Sequence, residues 1–270
     1  MKHNKGKTFF YVAWLCFMLA ALVLMLYVIS TRISKMMRMK HRTEGFDTTT
    51  TTRIPKVLFQ TSKDEVPETY VTDMIREKTP GWTYRHFTDA DILQYFQEHP
   101  HEEFPNITEQ FHRLTGAHKA DLFRYYYIYL EGGVFLDSDA MIFVDLNDIV
   151  RDYAFFSVNS LCVPGSIFQG FIGAVPGNDI MYKALKDAYV IDPSELKADY
   201  HLLIRHMYNF VMDNATYTFK RKLYTERPCD SSGIGQTHDD DTDSEGAPPD
   251  DPGRLILKHF YTEKKIPMSL

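Results

Sequence analysis

Residues 116–131 carry a helical pattern that stops at Gly132 and Gly133, and the next three residues, Val134, Phe135 and Leu136, form an apolar run that ends on Asp137, Ser138 and Asp139. Glycine after the last periodic residue is the expected helix stop. The same alternation precedes this block. Residues 54–61 read as a buried strand entering a loop, with Pro55 suited to a strand start. Residues 71–78 have helical spacing and stop at Pro80 and Gly81, residues 82–87 alternate as a second strand, and Thr88 or Asp89 caps a helix carrying Ile92, Leu93, Tyr95 and Phe96. Strand and helix in this order predict an α/β domain with a mainly parallel sheet, whose ligands bind beyond the carboxyl ends of the strands. Asp137 and Asp139 sit at such an end.

Farther on, residues 167–175 read as a strand, 179–190 as a helix, 198–212 as one helix and 254–260 as a strand. Residues 228–253 hold eight acids and no Lys or Arg, which predicts a flexible, solvated loop. At the other end the first 42 residues carry eight Lys and Arg and no acid, flanking a run at 9–29 without a charged side chain. That run is long enough to span a bilayer and longer than the apolar region of a cleaved signal peptide. The expected layout is a short tail at 1–8, a transmembrane signal-anchor at 9–29, a basic and Thr-rich stalk at 30–52, and one sizeable domain at 53–270. The two charged blocks cancel, so the remainder carries the formal charge of −6, which argues against a nucleic-acid partner. Orientation is divided: the flanking charges favour a cytosolic domain, while sequons at Asn106 and Asn214 favour a lumenal, type II glycoprotein. Cys162 and Cys229 are either a lumenal pair or buried thiols.

Side chains at i and i+2 of an extended segment point the same way, so Asp137 and Asp139 aim hard oxygen ligands at one divalent cation and leave the rest of its coordination sphere for phosphates. Asp-x-Asp occurs four times, at 89/91, 137/139, 239/241 and 241/243. The first is explained by helix capping and the last two by the acidic stretch. Asp121 and Arg124, three residues apart on the preceding helix, share a face. Arg124 is suited to a phosphate or an acid, and Asp121 to sugar hydroxyls. Tyr125, Tyr126, Tyr127 and Tyr129 read as packing.

Residues 54–61, 80–92, 120–125 with 129–139, and 171–178 together resemble the glycosyltransferases with the DXD sugar-binding motif. That group, glycosyltransferase family 32-like, includes the fungal initiation-specific α-1,6-mannosyltransferase and, more remotely, the large clostridial glucosylating toxins. The resemblance covers about residues 53–190 and implies a GT-A fold, a Rossmann-like sheet flanked by helices. It also implies a GDP- or UDP-sugar donor, Mn²⁺ or Mg²⁺, a glycan or glycolipid acceptor, transfer of mannose or a similar hexose with retention, and a place in the Golgi or ER lumen. Carried onto this sequence, Asp137 and Asp139 match the metal- and donor-binding pair, Asp121 and Arg124 the donor-contacting acid and arginine, and Gln60 and Thr61 a loop near the nucleotide. Gly132 and Gly133 match a close backbone approach to the donor, and His259 a third metal ligand. Departures from the pattern are Phe59 and Ser62 where the family has His and Trp around Gln60-Thr61, Gln169 near a common Asn, and no Trp after His259. With that C-terminal motif eroded, a membrane-tethered sugar-nucleotide-binding scaffold without activity is the alternative, and a metal-dependent phosphohydrolase a third.

Overall fold

The computed structural model describes residues 53–63, 66–213, 217–227, 234–240 and 253–260, together with Met18 and Met25, which are helical and exposed. The chain divides into two compact units, Met1–Thr50 and Thr51–Leu270. Apart from those two methionines, the expected tail, anchor and stalk, together with the sequon at Asn214, Cys229 and most of the acidic stretch, lie outside the described residues. Among the described residues no helix is long and apolar enough to cross a membrane.

The described residues of the second unit form an α/β fold built on one nine-stranded sheet. Its elements are β1 (Val57–Thr61), α1 (Thr69–Lys78), β2 (Thr83–Phe87), α2 (Asp89–Glu98), α3 (Ile107–Arg113), α4 (Ala117–Glu131), β3 (Gly133–Leu136), β4 (Ala140–Ile142), α5 (Leu146–Val150), β5 (Phe155–Ser160), β6 (Ser166–Ala174), α6 (Asp179–Val190), α7 (Pro193–Ala198), α8 (Leu202–Met212), β7 (Arg221–Arg227), β8 (Ile234–Asp239) and β9 (Arg254–Phe260). The strand order is β2-β1-β3-β6-β5-β7-β8-β9-β4. β1 pairs parallel with β2 and β3, and β5 with β7; the other five pairings are antiparallel. The sheet is therefore mixed rather than mainly parallel. The reversal begins at β6, which returns from the carboxyl end of β3 and runs back along it, pairing Leu136 with Phe171 and Gly133 with Ala174.

One short link bends this sheet. β3 and β4 lie six strand positions apart in the order, about 29 Å in a flat sheet at 4.8 Å per strand. Only residues 137–139 join them, and four Cα steps reach about 15 Å. The sheet must curl, and Asp137 to Asp139 bridge the opening. The amide of Phe260 on β9 donates to the carbonyl of Asp139 at 3.0 Å, and Ala140 pairs with His259.

Both faces of the sheet are covered, as the alternation of the strands requires. Phe59, Phe135, Phe155 and Ile172 point into a core shared with α2, α3, α4, α6, α7 and α8, while their neighbours Leu58, Leu136, Phe156 and Phe171 point into a second core with α1 and α5. α4 is buried from Asp121 to Ile128, so it runs through the protein instead of lying on it. Its Phe123 and Tyr127 rings meet Phe59 with centroids 6.1 and 4.3 Å away. The tyrosines at 125, 126 and 127 are buried packing, as their run suggests.

Two pattern readings need correction. The expected helix at 198–212 is α8 but starts only at Leu202: Ala198 ends a separate helix, α7, and Asp199, Tyr200 and His201 lie between the two. The expected acidic loop contains β8, whose backbone pairs with β7 on one side and β9 on the other. Ladder hydrogen bonds on both edges satisfy this segment without an apolar run, and Gly235, Thr237 and His238 are buried. The Asp-x-Asp at 89/91 is a cap: Thr88 accepts from the Asp91 amide, and Asp91 accepts from the amide and hydroxyl of Thr88.

Phe59 is fully buried and also meets Phe87 and Phe135. Phe59→Ala should therefore destabilise the protein by about 3–5 kcal/mol. Urea unfolding of the purified protein checks this, and a loss under about 1 kcal/mol would remove Phe59 from the centre of the core.

Candidate active site

The carboxyl end of β3 carries Asp137, half-exposed, followed by exposed Ser138 and half-exposed Asp139. Backbone contacts hold this turn from three sides. The Asp137 amide donates to the Gly170 carbonyl on β6 at 2.8 Å, and the Gln60 carboxamide on β1 donates to the Asp137 carbonyl at 3.0 Å. Gln60 is fully buried and accepts from the Tyr84 hydroxyl at 2.8 Å, so β2, β1 and the acidic turn are linked in series. β9 supplies the third side through Phe260.

Arg124 gathers the acids. Its guanidinium is 4% exposed, lies 3.9 Å from the centre of the Phe135 ring, and donates to the Gln169 carbonyl at 2.7 Å and to the Ala120 carbonyl at 3.3 Å. Its Nη2 lies 3.4 Å from Asp137 Oδ1 and 3.5 Å from Asp121 Oδ1. The i,i+3 relation of Asp121 and Arg124 on α4 thus becomes a buried pair that also reaches the strand end. The guanidinium is engaged by protein groups on all of these sides.

Three carboxylates against one guanidinium leave two uncompensated negative charges when all ionise. Burial raises the Asp121 carboxyl above its ordinary range, with Arg124 and His118 opposing and Asp137 adding to the shift. Burial, then the Asp137 charge, pushes Asp139 up to about 7. A divalent cation would neutralise this excess, and the donor set is all hard oxygen, so the residues present fit such an ion. Among the described residues no three His, Cys, Asp or Glu side chains are grouped to hold a metal by themselves. The remaining ligands would come from phosphates or water.

Gln60, Asp121, Arg124, Asp137 and Asp139 are brought together; Thr61 ends β1 one residue beyond Gln60. Gly132 and Gly133 are not part of that group. A Cβ on Gly132 would lie 2.7 Å from Pro176 and 2.8 Å from Pro55, and one on Gly133 would lie 2.8 Å from the Val57 carbonyl. With φ of +70° and +111°, these glycines serve the turn into β3 and its approach to β1, at the end of the strand away from the acids. His259 is 1% exposed, stacks on Phe168 with centroids 4.2 Å apart, and has Nε2 3.5 Å from Glu226 Oε1. Burial pushes its pKa down to about 3, keeping the imidazole neutral. Cys162 Sγ faces the Arg227 carbonyl at 3.3 Å.

Pattern reading missed Gly170. A Cβ there would lie 2.3 Å from Asp137 Oδ2 and 2.2 Å from Phe168 Cζ, so the missing side chain makes room for the carboxylate. A glycine inside a strand pattern is the one available sign of such an approach. Gln169 beside it accepts from the Tyr125 hydroxyl, and its buried Nε2 has no hydrogen-bond partner among the described residues. His118 and Tyr200, at the amino-terminal end of α4 and between α7 and α8, also border the acids and carry no sequence signature.

Residues 65–156 match the family model described as a glycosyltransferase sugar-binding region containing DXD motif. That span includes Asp121, Arg124, Asp137 and Asp139. No curated protein matches the chain. Among solved structures, the "PaToxG Glycosyltransferase" is similar over 60% of this chain and 70% of its own, at 14% identity and a TM-score of 0.45. The segment 65–156 carries a glycosyltransferase sugar-binding region, and the chain is on that ground a glycosyl-transferring enzyme. Such regions bind a nucleotide sugar together with a divalent metal.

Because the groups a Gly170 Cβ would meet are side-chain ends, Gly170→Ala should leave the fold in place while displacing the Asp137 carboxylate. Displacement of about 1 Å at a reacting centre lowers turnover about 100-fold. Thermal melting with kinetics of donor turnover checks the split; equal losses in both would mean that Gly170 serves only packing.

Proposed function

We propose that the chain is a metal-dependent hexosyltransferase that moves mannose or a similar hexose from a GDP- or UDP-sugar to a glycan or glycolipid acceptor, with retention. The observation that carries this reading is the pairing of Asp121 and Asp137 with the buried Arg124 guanidinium at the end of β3, with Asp139 two residues beyond Asp137 on the same turn. Asp139 and Asp137 would hold Mn²⁺ or Mg²⁺. When bound, the cation neutralises charge on the departing diphosphate.

The chain's own residues do the positioning. Asp121, buried and turned toward the same space, accepts hydrogen bonds from donor-sugar hydroxyls. Arg124 holds Asp121 and Asp137 in register, a role its contacts to both favour over a direct diphosphate clamp. Gln60 and Tyr84 fix the turn beneath the acids. In the transfer, the acceptor hydroxyl oxygen bonds to the anomeric carbon as the bond from that carbon to the diphosphate oxygen breaks. The acceptor proton passes to the departing phosphate on the same face, which gives retention without a protein nucleophile. His259, a metal ligand by resemblance, is better read as packing of β9, since it lies against Phe168 and Glu226.

We also read residues 9–29 as a signal-anchor and the catalytic unit as lumenal. Asn106 is exposed at the start of α3, where a glycan can be accommodated.

Full-length protein incubated with Mn²⁺ and a panel of UDP- and GDP-hexoses should turn over one donor, and chelation should stop it. Asp137→Ala combined with Asp139→Ala should lower the rate about 1,000-fold, as expected when several kcal/mol of charge stabilisation is removed. Undiminished turnover in that double variant would overturn the metal assignment, and hydrolysis that no acceptor converts to transfer would favour a phosphohydrolase. The lumenal reading predicts that N-glycosidase shifts the electrophoretic mobility of the protein purified from its cells and that Asn106→Gln reduces the shift.

A further inference from the structure

The sharp break between α7 and α8 places one aromatic ring largely at the surface. Tyr200 is 59% exposed, the most exposed aromatic among the described residues. Its backbone is nonetheless pinned: the His118 Nε2 lies 3.1 Å from the Tyr200 carbonyl, and the two rings meet edge to face at 4.9 Å and 61°. On one flank Asp199 pairs with Arg205 and accepts from the His201 amide at 3.0 Å. His118 precedes Asp121 by three residues on α4, so both lie on one helix face. The Tyr200 hydroxyl has its pKa raised first by burial and then by the Asp121 and Asp137 carboxylates, with Arg124 opposing. The ring therefore lies beside His118 on the side of Asp121, flanked by the His201 ring at 5.4 Å and 84°, held at its backbone and more than half exposed.

We propose that Tyr200 is a sugar-binding residue of this site, its ring face packing against the apolar C–H face of a pyranose whose hydroxyls reach Asp121. This rests on the glycosyl-transfer reading above. Pyranoses present one face of C–H groups and a rim of hydroxyls, and an exposed aromatic beside a carboxylate complements both. The hexose is either that of the donor or that of the acceptor.

The test compares full-length wild type, Tyr200→Ala and Tyr200→Phe with Mn²⁺, using the panel member that wild type turns over and its nucleoside diphosphate alone. A donor sugar on the ring predicts that Tyr200→Ala weakens sugar-nucleotide binding about 5- to 10-fold while nucleoside diphosphate binding is unchanged. An acceptor sugar predicts unchanged donor binding and hydrolysis, with the acceptor KM raised by a similar factor. In both cases Tyr200→Phe, which keeps the ring, stays within about twofold of wild type. Equal weakening of the diphosphate and the sugar nucleotide would indicate a structural role, and a phenylalanine variant as impaired as the alanine variant would assign the effect to the hydroxyl; either overturns the proposal. Turnover that Tyr200→Ala leaves untouched overturns this inference alone, whereas wild-type protein without turnover removes it together with the reading on which it rests.

Discussion

A guanidinium enclosed by protein organises this domain. Arg124 reaches the protein interior because α4 is buried for more than two turns, and it is tolerated there because two carboxylates, two backbone carbonyls and an aromatic face surround it. Removing such a charge leaves its partners unmatched, which is more damaging than never having had the group. Its position also fixes the identity of its neighbours. Asp121 comes from the same helix, Asp137 from the next strand, and the Gln169 carbonyl from the antiparallel strand that runs back along β3. Helix, strand and return strand are locked at one point, which is the point where the chemistry is proposed.

The charge balance around that point is incomplete in electrostatic terms. Burial first, and then the neighbouring Asp137 charge, raise the Asp139 carboxyl, a setting that a dication would relieve. Neighbouring parts of the structure serve to keep the acids from relaxing away from one another. Gln60 and Tyr84 brace the turn from below, Gly170 withdraws its side chain to admit Asp137, and β9 closes over the Asp139 carbonyl. None of these groups needs to touch a substrate to matter for turnover.

Much of this was legible in the residues because it is local. A helix stopped by glycine, a four-residue strand and two acids at its end form one continuous word, and capping by Thr88 explains another Asp-x-Asp pair. What was illegible depends on partners distant in the chain. The direction of β6 beside β3 sets the mixed character of the sheet, and nothing in Ser166–Ala174 states that direction. β8 is strand because two other strands flank it, although its own composition is that of a solvated acidic stretch. Gly132 and Gly133 fit the sequence expectation of a close approach, but the approaching atoms belong to Pro55, Pro176 and Val57. Tyr200 is invisible to pattern reading because its importance comes from a helix break and from His118, more than two helices upstream.

The curl that lets three residues join β3 to the far edge has a further consequence for how the domain comes into being. Asp137 and Asp139 leave the ribosome long before Arg254–Phe260, the strand that closes over them. At usual rates of synthesis that interval is on the order of ten seconds. Through it the nascent domain displays its acids on an unclosed sheet, without the edge that pairs with Ala140 to Ile142. The last strand of the described residues therefore completes the surroundings of the acids, and a chain stopped short of it would lack the backbone donor to the Asp139 carbonyl.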